Sequence, residues 1–333
     1  MIVLGIESSC DESAVALVRD GRDVIADGVA SQVAAHAVHG GVVPELAARH
    51  HGENLPVLQH EVWARAGWDE TRRPDLIAVT HGPGLLSSLN VGIAWATGLG
   101  RAWGVPVIGV NHLDAHLLVA AGPDFPFPHL GLLVSGGHTM LVLRRGPFAA
   151  VTVGETIDDA VGEAYDKVAR LLGLGYPGGP AVDKLAASGD PAAVKFAQPQ
   201  VKGQPYNVSL SGLKTAVLYL LRGPDGKGNP HPPRPEDVAA AFQQTVLTML
   251  VSRIERAGRE FGWRRLCVGG GVAANRGLRA RVEMLRGDGW EVALPPLANC
   301  LDNGTMIAMQ GYRVHAAGRG AAPAGNPNLG FGN

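Results

Sequence analysis

Two stretches of this chain repeat one order of elements, and that repetition constrains the fold more than any single motif. The first copy opens on a β-branched run, Val3 to Ile6, passes through a polar loop containing Ser8, and continues in Ala14 to Val18. A turn at Arg19-Asp20-Gly21-Arg22 then leads to Val24 to Ala26. The second copy runs from Leu130 to Val134, through Ser135-Gly136-Gly137-His138-Thr139, to Met140 to Leu143. It turns at Arg144-Arg145-Gly146 and ends in Val151 to Val153. The spacing from Ser8 to Gly21 is close to that from Ser135 to Gly146. Short β-branched runs between turn signals read as strands, and self-similarity at long spacing reads as duplication. Unrelated hairpins share part of this order, so the rest of the chain has to agree.

It does agree with an α/β architecture. Helical periodicity covers Glu45 to Ala64, Leu89 to Trp103 and Glu236 to Phe261, the last with Val238, Phe242, Val246 and Ile254 on one side. Buried strands are expected at Leu76 to Thr80, Val107 to Val110 and Leu266 to Val268. Strands alternating with helices place ligand sites at the carboxyl ends of strands. The expected division is an N-terminal lobe of residues 1–110, rejoined by 311–333, and a C-terminal lobe of 111–310. Gly223 to Pro235 reads as a loop between helices, and Ala321 to Asn333 reads as a fraying tail.

Composition sharpens one question. Of 333 residues, 46 are glycine, about twice the usual share, without the period of a fibrous protein. The glycines gather at Gly82/Gly84, Gly136/Gly137, Gly178/Gly179 and Gly269 to Gly271, where backbone is expected to approach phosphate or ribose closely. A net charge of -1 argues against a surface coated in basic residues. Three cysteines (Cys10, Cys267, Cys300) give no disulfide framework, which fits a reducing cytoplasm. The first residues lack a signal-peptide pattern, and no run of 18 apolar residues suggests a membrane span.

Three loops could cradle an anion: Glu7 to Glu12, Ser135 to Thr139, and Gly269 to Asn275 between a strand and a helix. In His112-Leu113-Asp114-Ala115-His116, helical spacing puts both imidazoles on one face, as a metal pair or as two solvated histidines. Asp302 is the best distal carboxylate, with Cys300 a competing soft ligand or a small buried residue. Two histidines and a carboxylate suit non-haem iron(II) or zinc. The zinc-protease pattern fails because Leu113 stands where it needs Glu. Asp159, Glu163 and Asp166 share a helix face, either solvated or with Asp166 on a ribose hydroxyl. A rigid turn at Tyr176 to Pro180 precedes Asp183, which is expected at a helix start.

In order, the segments LGIESSCDESAVA, GGVVPELAAR, GPGLLSSLNVG, NHLDAH, LVSGGHT, GETIDDAVGEAYDKVARLLGLGYPGGP, SGLKTAV, GGGVAAN and DNGTMIA span nearly the whole chain. Together they make it resemble the TsaD family of tRNA N6-adenosine threonylcarbamoyltransferases, formerly filed as O-sialoglycoprotein endopeptidases. The resemblance implies the actin/Hsp70/sugar-kinase (ASKHA) fold, with two duplicated lobes around a nucleotide cleft. It implies metal held by His112, His116 and Asp302, one Fe(II) per subunit or zinc. It implies threonylcarbamoyl-AMP, or ATP/ADP, bound by Leu133, Val134, Ser135, Gly136, Gly137, Asp166, Gly179, Asp183 and Asn275. Asp11 and Glu12 would line the catalytic side, with Asp11 the first candidate for general base. The family often has Thr before the metal Asp; this chain has Leu301.

The implied reaction moves threonylcarbamoyl from its adenylate to N6 of the adenosine beside the anticodon, in tRNAs reading codons that begin with A. The implied partners are tRNA, a shorter TsaB-like paralogue in a heterodimer, a TsaE-like ATPase, and a separate synthase that makes the adenylate. The GGVVPEL stretch is the candidate partner face. A local patch of Arg144, Arg145, Lys202 and Lys214 would grip tRNA. Competing readings are a glycoprotein-cutting metalloprotease, a nucleotide-switched scaffold, and a small-molecule kinase, which has no need of the His pair.

Overall fold

The computed structural model describes residues 1–223 and 228–332. The chain forms two compact units, Met1–Phe125 with Leu301–Asn333, and Pro126–Cys300.

In the first unit, β1 (Ile2–Glu7), β2 (Glu12–Arg19) and β3 (Asp23–Ser31) form an antiparallel meander. β4 (Leu76–Gly82) adds parallel to β1, and β5 (Val107–Asn111) parallel to β4, giving the order β3-β2-β1-β4-β5. Side chains alternate across a strand, so the buried runs serve two cores. Val3, Ala16, Leu76 and Ala78 face one cluster with α4 (His112–Ala121) and α10 (Gly304–Ala316). Leu4, Ile6, Val15, Leu17, Ile77 and Val79 face the other, with α2 (Pro44–Arg65) and α3 (Leu86–Trp103). Helix α10 lies against β1 so closely that a Cβ on Gly5 would stand 2.1 Å from the Gly304 carbonyl oxygen. This contact brings Asp302, just ahead of α10, to the carboxyl end of β1.

The second unit repeats the plan. β6 (His129–Val134), β7 (Thr139–Gly146) and β8 (Ala149–Glu155) form the meander. β9 (Arg265–Gly269) and β10 (Glu291–Ala293) continue it in parallel, in the order β10-β9-β6-β7-β8. The two sheets have one topology, as the duplicated pattern predicts. One core holds this unit together, with Phe242, Met249 and Ile254 of α8 (Pro235–Phe261) packed with Leu130, Leu132 and Val268 of the sheet.

Several boundaries differ from expectation. Residues 111–125 and 301–310 belong to the first unit, not the second. The reason is shared burial: Ala115, Leu118 and Val119 of α4 pack with Met306 to Met309 of α10 on one sheet face. β3 runs on through Asp27-Gly28, and the short α1 (Val33–Ala37) and β10 have no strong sequence signal. The segment after α10 does not fray: the Gly109 N–H donates to the Ala321 carbonyl (3.0 Å) and the Asn326 N–H to the His81 carbonyl (2.8 Å). Residues 224–227 of the expected 223–235 loop, and Asn333, lie outside the described residues. No described helix is long and apolar enough to cross a membrane.

Candidate functional site

In the first unit a buried polar cluster forms where three strand ends meet α4. Asn111 closes β5 and caps α4, its Oδ1 accepting from the N–H groups of Leu113 (2.9 Å) and Asp114 (3.1 Å). An Asn at this position satisfies donors that a helix start leaves unpaired. His112 and His116 then stand one turn apart, ring centroids 4.6 Å from each other. Asp302 Oδ1 lies 2.9 Å from His116 Nε2 and 3.7 Å from His112 Nε2. One ligand atom from each of the three falls within 4.8 Å of the others. The sequence reading of solvated histidines fails, because both rings are buried.

Glu7, fully buried, was only one carboxylate of a polar loop in the sequence, and it turns out to organise the centre. Its Oε2 accepts from His112 Nδ1 (3.0 Å) and Thr80 Oγ1 (2.6 Å), and its Oε1 from the Ser9 N–H. That bond holds the Nδ1 proton and the ring orientation of His112 and leaves Nε2 facing Asp302, the arrangement by which outer carboxylates orient metal-binding histidines. Burial opposes charge on both partners, yet their pairing wins: Glu7 is lowered, and His112 is pushed up to about 9 with help from Asp302. Burial, then Asp302 and Asp11, pushes Glu12 up to about 9, and Cys10 rises well above an ordinary thiol. Asp302 and Asp11 add to what burial does at Glu12 and Cys10, and a divalent cation would offset that negative charge. The donor set fits a metal. Cys300 belongs to the second unit, buried beside Arg279, and is not one of the three residues whose ligand atoms converge.

In the second unit the residues named for nucleotide binding divide. Leu133 and Val134 are core residues of β6, so only their backbone could meet a ligand. Ser135 is used in its own turn, its N–H donating to the His138 carbonyl (2.8 Å) and its Oγ accepting from the His138 N–H (3.1 Å). Gly136, Gly137 and Gly179 face open space, whereas a Cβ on Gly270 would lie 2.4 Å from the Val134 carbonyl oxygen and one on Gly178 2.5 Å from Ala169. Gly82 and Gly84 likewise meet neighbouring backbone. The glycine excess is thus partly packing and only partly exposed loop.

Asp183 lies inside α6 (Gly178–Ala186) and not at its start. Its Oδ1 accepts from Gln243 Nε2 (3.2 Å) and its Oδ2 from Arg276 Nε (2.9 Å). Asn275 caps α9 (Arg276–Met284) through Leu278 N–H and donates to Gln243 Oε1 (2.9 Å). Gln243 and Arg276 escaped the sequence reading because a glutamine on an amphipathic helix and an arginine after a glycine loop carry no motif. Asp166 Oδ1 accepts from the Gly178 N–H (2.7 Å). Asp159 lies before α5 (Val161–Leu171), joined with Glu163 through Lys167. Lys214 also reaches Asp159 (3.4 Å), and Arg144 is buried at 2% exposure, so the proposed basic patch is reduced to Arg145 and Lys202 on the surface.

The profile of the TsaD family, tRNA N6-adenosine threonylcarbamoyltransferase, matches residues 23–309. A transferase of that name from Thermotoga neapolitana is 47% identical over 94% of this chain and 94% of its own length. The Bacillus subtilis protein of the same name is 44% identical over 99% and 95%. Among solved structures, HypF of T. kodakarensis superposes with a TM-score of 0.64 at 14% identity, over 96% of this chain and 48% of that one. The (R)-2-hydroxyglutaryl-CoA dehydratase component A of Acidaminococcus fermentans gives 0.54 at 16%, over 95% and 99%. These distant likenesses speak to the fold alone, the actin-like ATPase fold with its doubled sheet. Sequence similarity over nearly the full length says more: the chain belongs to the TsaD family of tRNA N6-adenosine threonylcarbamoyltransferases.

Proposed function

We propose that this chain transfers threonylcarbamoyl from threonylcarbamoyl-AMP to N6 of the adenosine beside the anticodon, in tRNAs reading codons that begin with A. The observation that carries the site assignment is the buried His112, His116 and Asp302 cluster with Glu7 behind it. These three would hold one Fe(II), with zinc as the second candidate, since two imidazoles and a carboxylate suit either. When bound, the ion supplies Lewis acidity toward a carbonyl or phosphoryl oxygen.

The chain's own residues do the rest. The N–H groups of the exposed residues Gly136 and Gly137 would take phosphate oxygens of the adenylate, with Asp166, Gly179, Asp183 and Asn275 on its nucleoside. The N6 amine attacks the carbonyl carbon of the mixed anhydride. The new N–C bond replaces the C–O bond to phosphate, AMP leaves, and the N6 proton passes to a base. Asp11 is assigned that role, because Glu12, pushed up to about 9 by burial and its neighbours, keeps its own proton at neutral pH. Partners of the kind the resemblance implies, a TsaB-like paralogue and a TsaE-like ATPase, complete the assembly, with a separate synthase supplying the adenylate.

The test combines purified protein, Fe(II) or zinc, threonylcarbamoyl-AMP, unmodified tRNA and these partners, with nucleosides read by mass spectrometry. Threonylcarbamoyladenosine is the expected product. Its absence under every partner combination overturns the reading.

A further inference from the structure

We infer that the segment after α10, residues 321–332, is a positioning strap for the metal-binding helix α4. This rests on the assignment of His112, His116 and Asp302 as ligands. The strap lies outside the residues matched by the family profile, which end at 309. It has no helix or strand of its own, yet its backbone is tied down along its length.

Two of the ties reach α4 itself. Asn111 spends its Oδ1 on the Leu113 and Asp114 N–H groups, and its Nδ2 donates to the Gly330 carbonyl (2.6 Å). The amide is therefore fixed at both ends, since flipping it would set donor against donor. Asp114, buried at 3% exposure, accepts from the Gly332 N–H through Oδ2 (2.9 Å). His112 lies between these two held residues, and His116 follows one turn on.

A third tie supports the other side of His112. The strap packs on the β4 loop, where a Cβ on Gly82 would stand 2.1 Å from the Asn326 carbonyl oxygen. The same loop holds Ser9, the Leu85 N–H donating to the Ser9 carbonyl (2.8 Å), and Ser9 Oγ lies 3.3 Å from His112 Nδ1. Backbone groups of the strap thus set the direction of a ligand without touching it. Groups that hydrogen-bond a ligand directly are worth about 10–100-fold in metal affinity, and the strap acts one step further out, through Asn111, Asp114 and Ser9.

The experiment measures the zinc and Fe(II) dissociation constants by chelator competition, in the full chain and in a variant lacking residues 321–333. We expect binding weaker by about tenfold, the low end for groups that orient a ligand, a cooperative melt retained, and recovery on adding a synthetic peptide of residues 321–333. Unchanged affinity in the truncated protein overturns the strap. Should that variant fail to fold, Asp114→Ala and Asp114→Asn decide: the first is expected to weaken binding, the second to preserve it, because an amide oxygen still accepts from Gly332. Equal affinity in both overturns the strap as well. His112→Ala with His116→Ala separates the two claims. Stoichiometric metal retained there refutes the ligand assignment itself, while metal lost there and kept on truncation refutes the strap alone.

Discussion

At the scale of single residues, charge in a dry place decides the chemistry. Glu7 has no exposed surface, and what makes its ionised form tolerable is the imidazole at 3.0 Å and the donors around it. Glu7→Gln keeps the shape but removes the charge, and its amide NH2 must face a donor, because both Glu7 oxygens accept. Metal affinity should fall about tenfold or more, as chelator competition will show, and the melting temperature should fall with it. Glu12 makes the opposite case. Its folded pKa, about 9, lies above the ordinary 4.5, so between those values the folded state holds a proton that the unfolded state has lost. The stability this confers is complete below pH 4.5 and is lost as pH rises toward 9. Glu12→Gln in the metal-free protein should therefore become progressively more stable than the parent across that window, measured by urea melts at several pH values. A constant difference would refute the assignment of its proton.

At the scale of elements, side chains distant in sequence finish helices that look uncapped locally. Helix α7 (Ser211–Arg222) begins after Leu210 without a cap of its own. Asp158 serves it from outside, accepting from the N–H groups of Leu210 (2.8 Å) and Ser211 (3.3 Å) and from both serine hydroxyls, Ser209 and Ser211. In the sequence Asp158 stands beside Asp159 with no cue to this role, which becomes visible only through the fold. Asp158→Ala should cost about 1 kcal/mol, the usual worth of a cap, read from denaturant unfolding. By contrast, the caps of α4, α9 and α10 by Asn111, Asn275 and Asn303 are local, each an Asn at the foot of its helix.

At the scale of the molecule, the second unit is one continuous stretch with its own sheet and core, whereas the first needs both ends of the chain. Residues 126–300 expressed alone should fold, giving a cooperative thermal transition and native-like helix content by circular dichroism. A non-cooperative melt would show that its stability depends on the rest of the chain.

The sequence by itself determined the strands of both meanders, the long helices, the duplication and the pairing of His112 with His116. These rest on periodicity and turn chemistry, which act over a few residues. Asp302 was named from the sequence as a distal candidate, but only α10 packed on β1 carries it to the histidines. Tertiary structure alone decided the unit boundaries, the work of Glu7, the burial of Arg144, the Gln243 and Arg276 contacts of Asp183, and the docking of 321–332. In each case the deciding term is desolvation or a hydrogen bond between groups far apart in sequence, and no local pattern records which groups will lose water together.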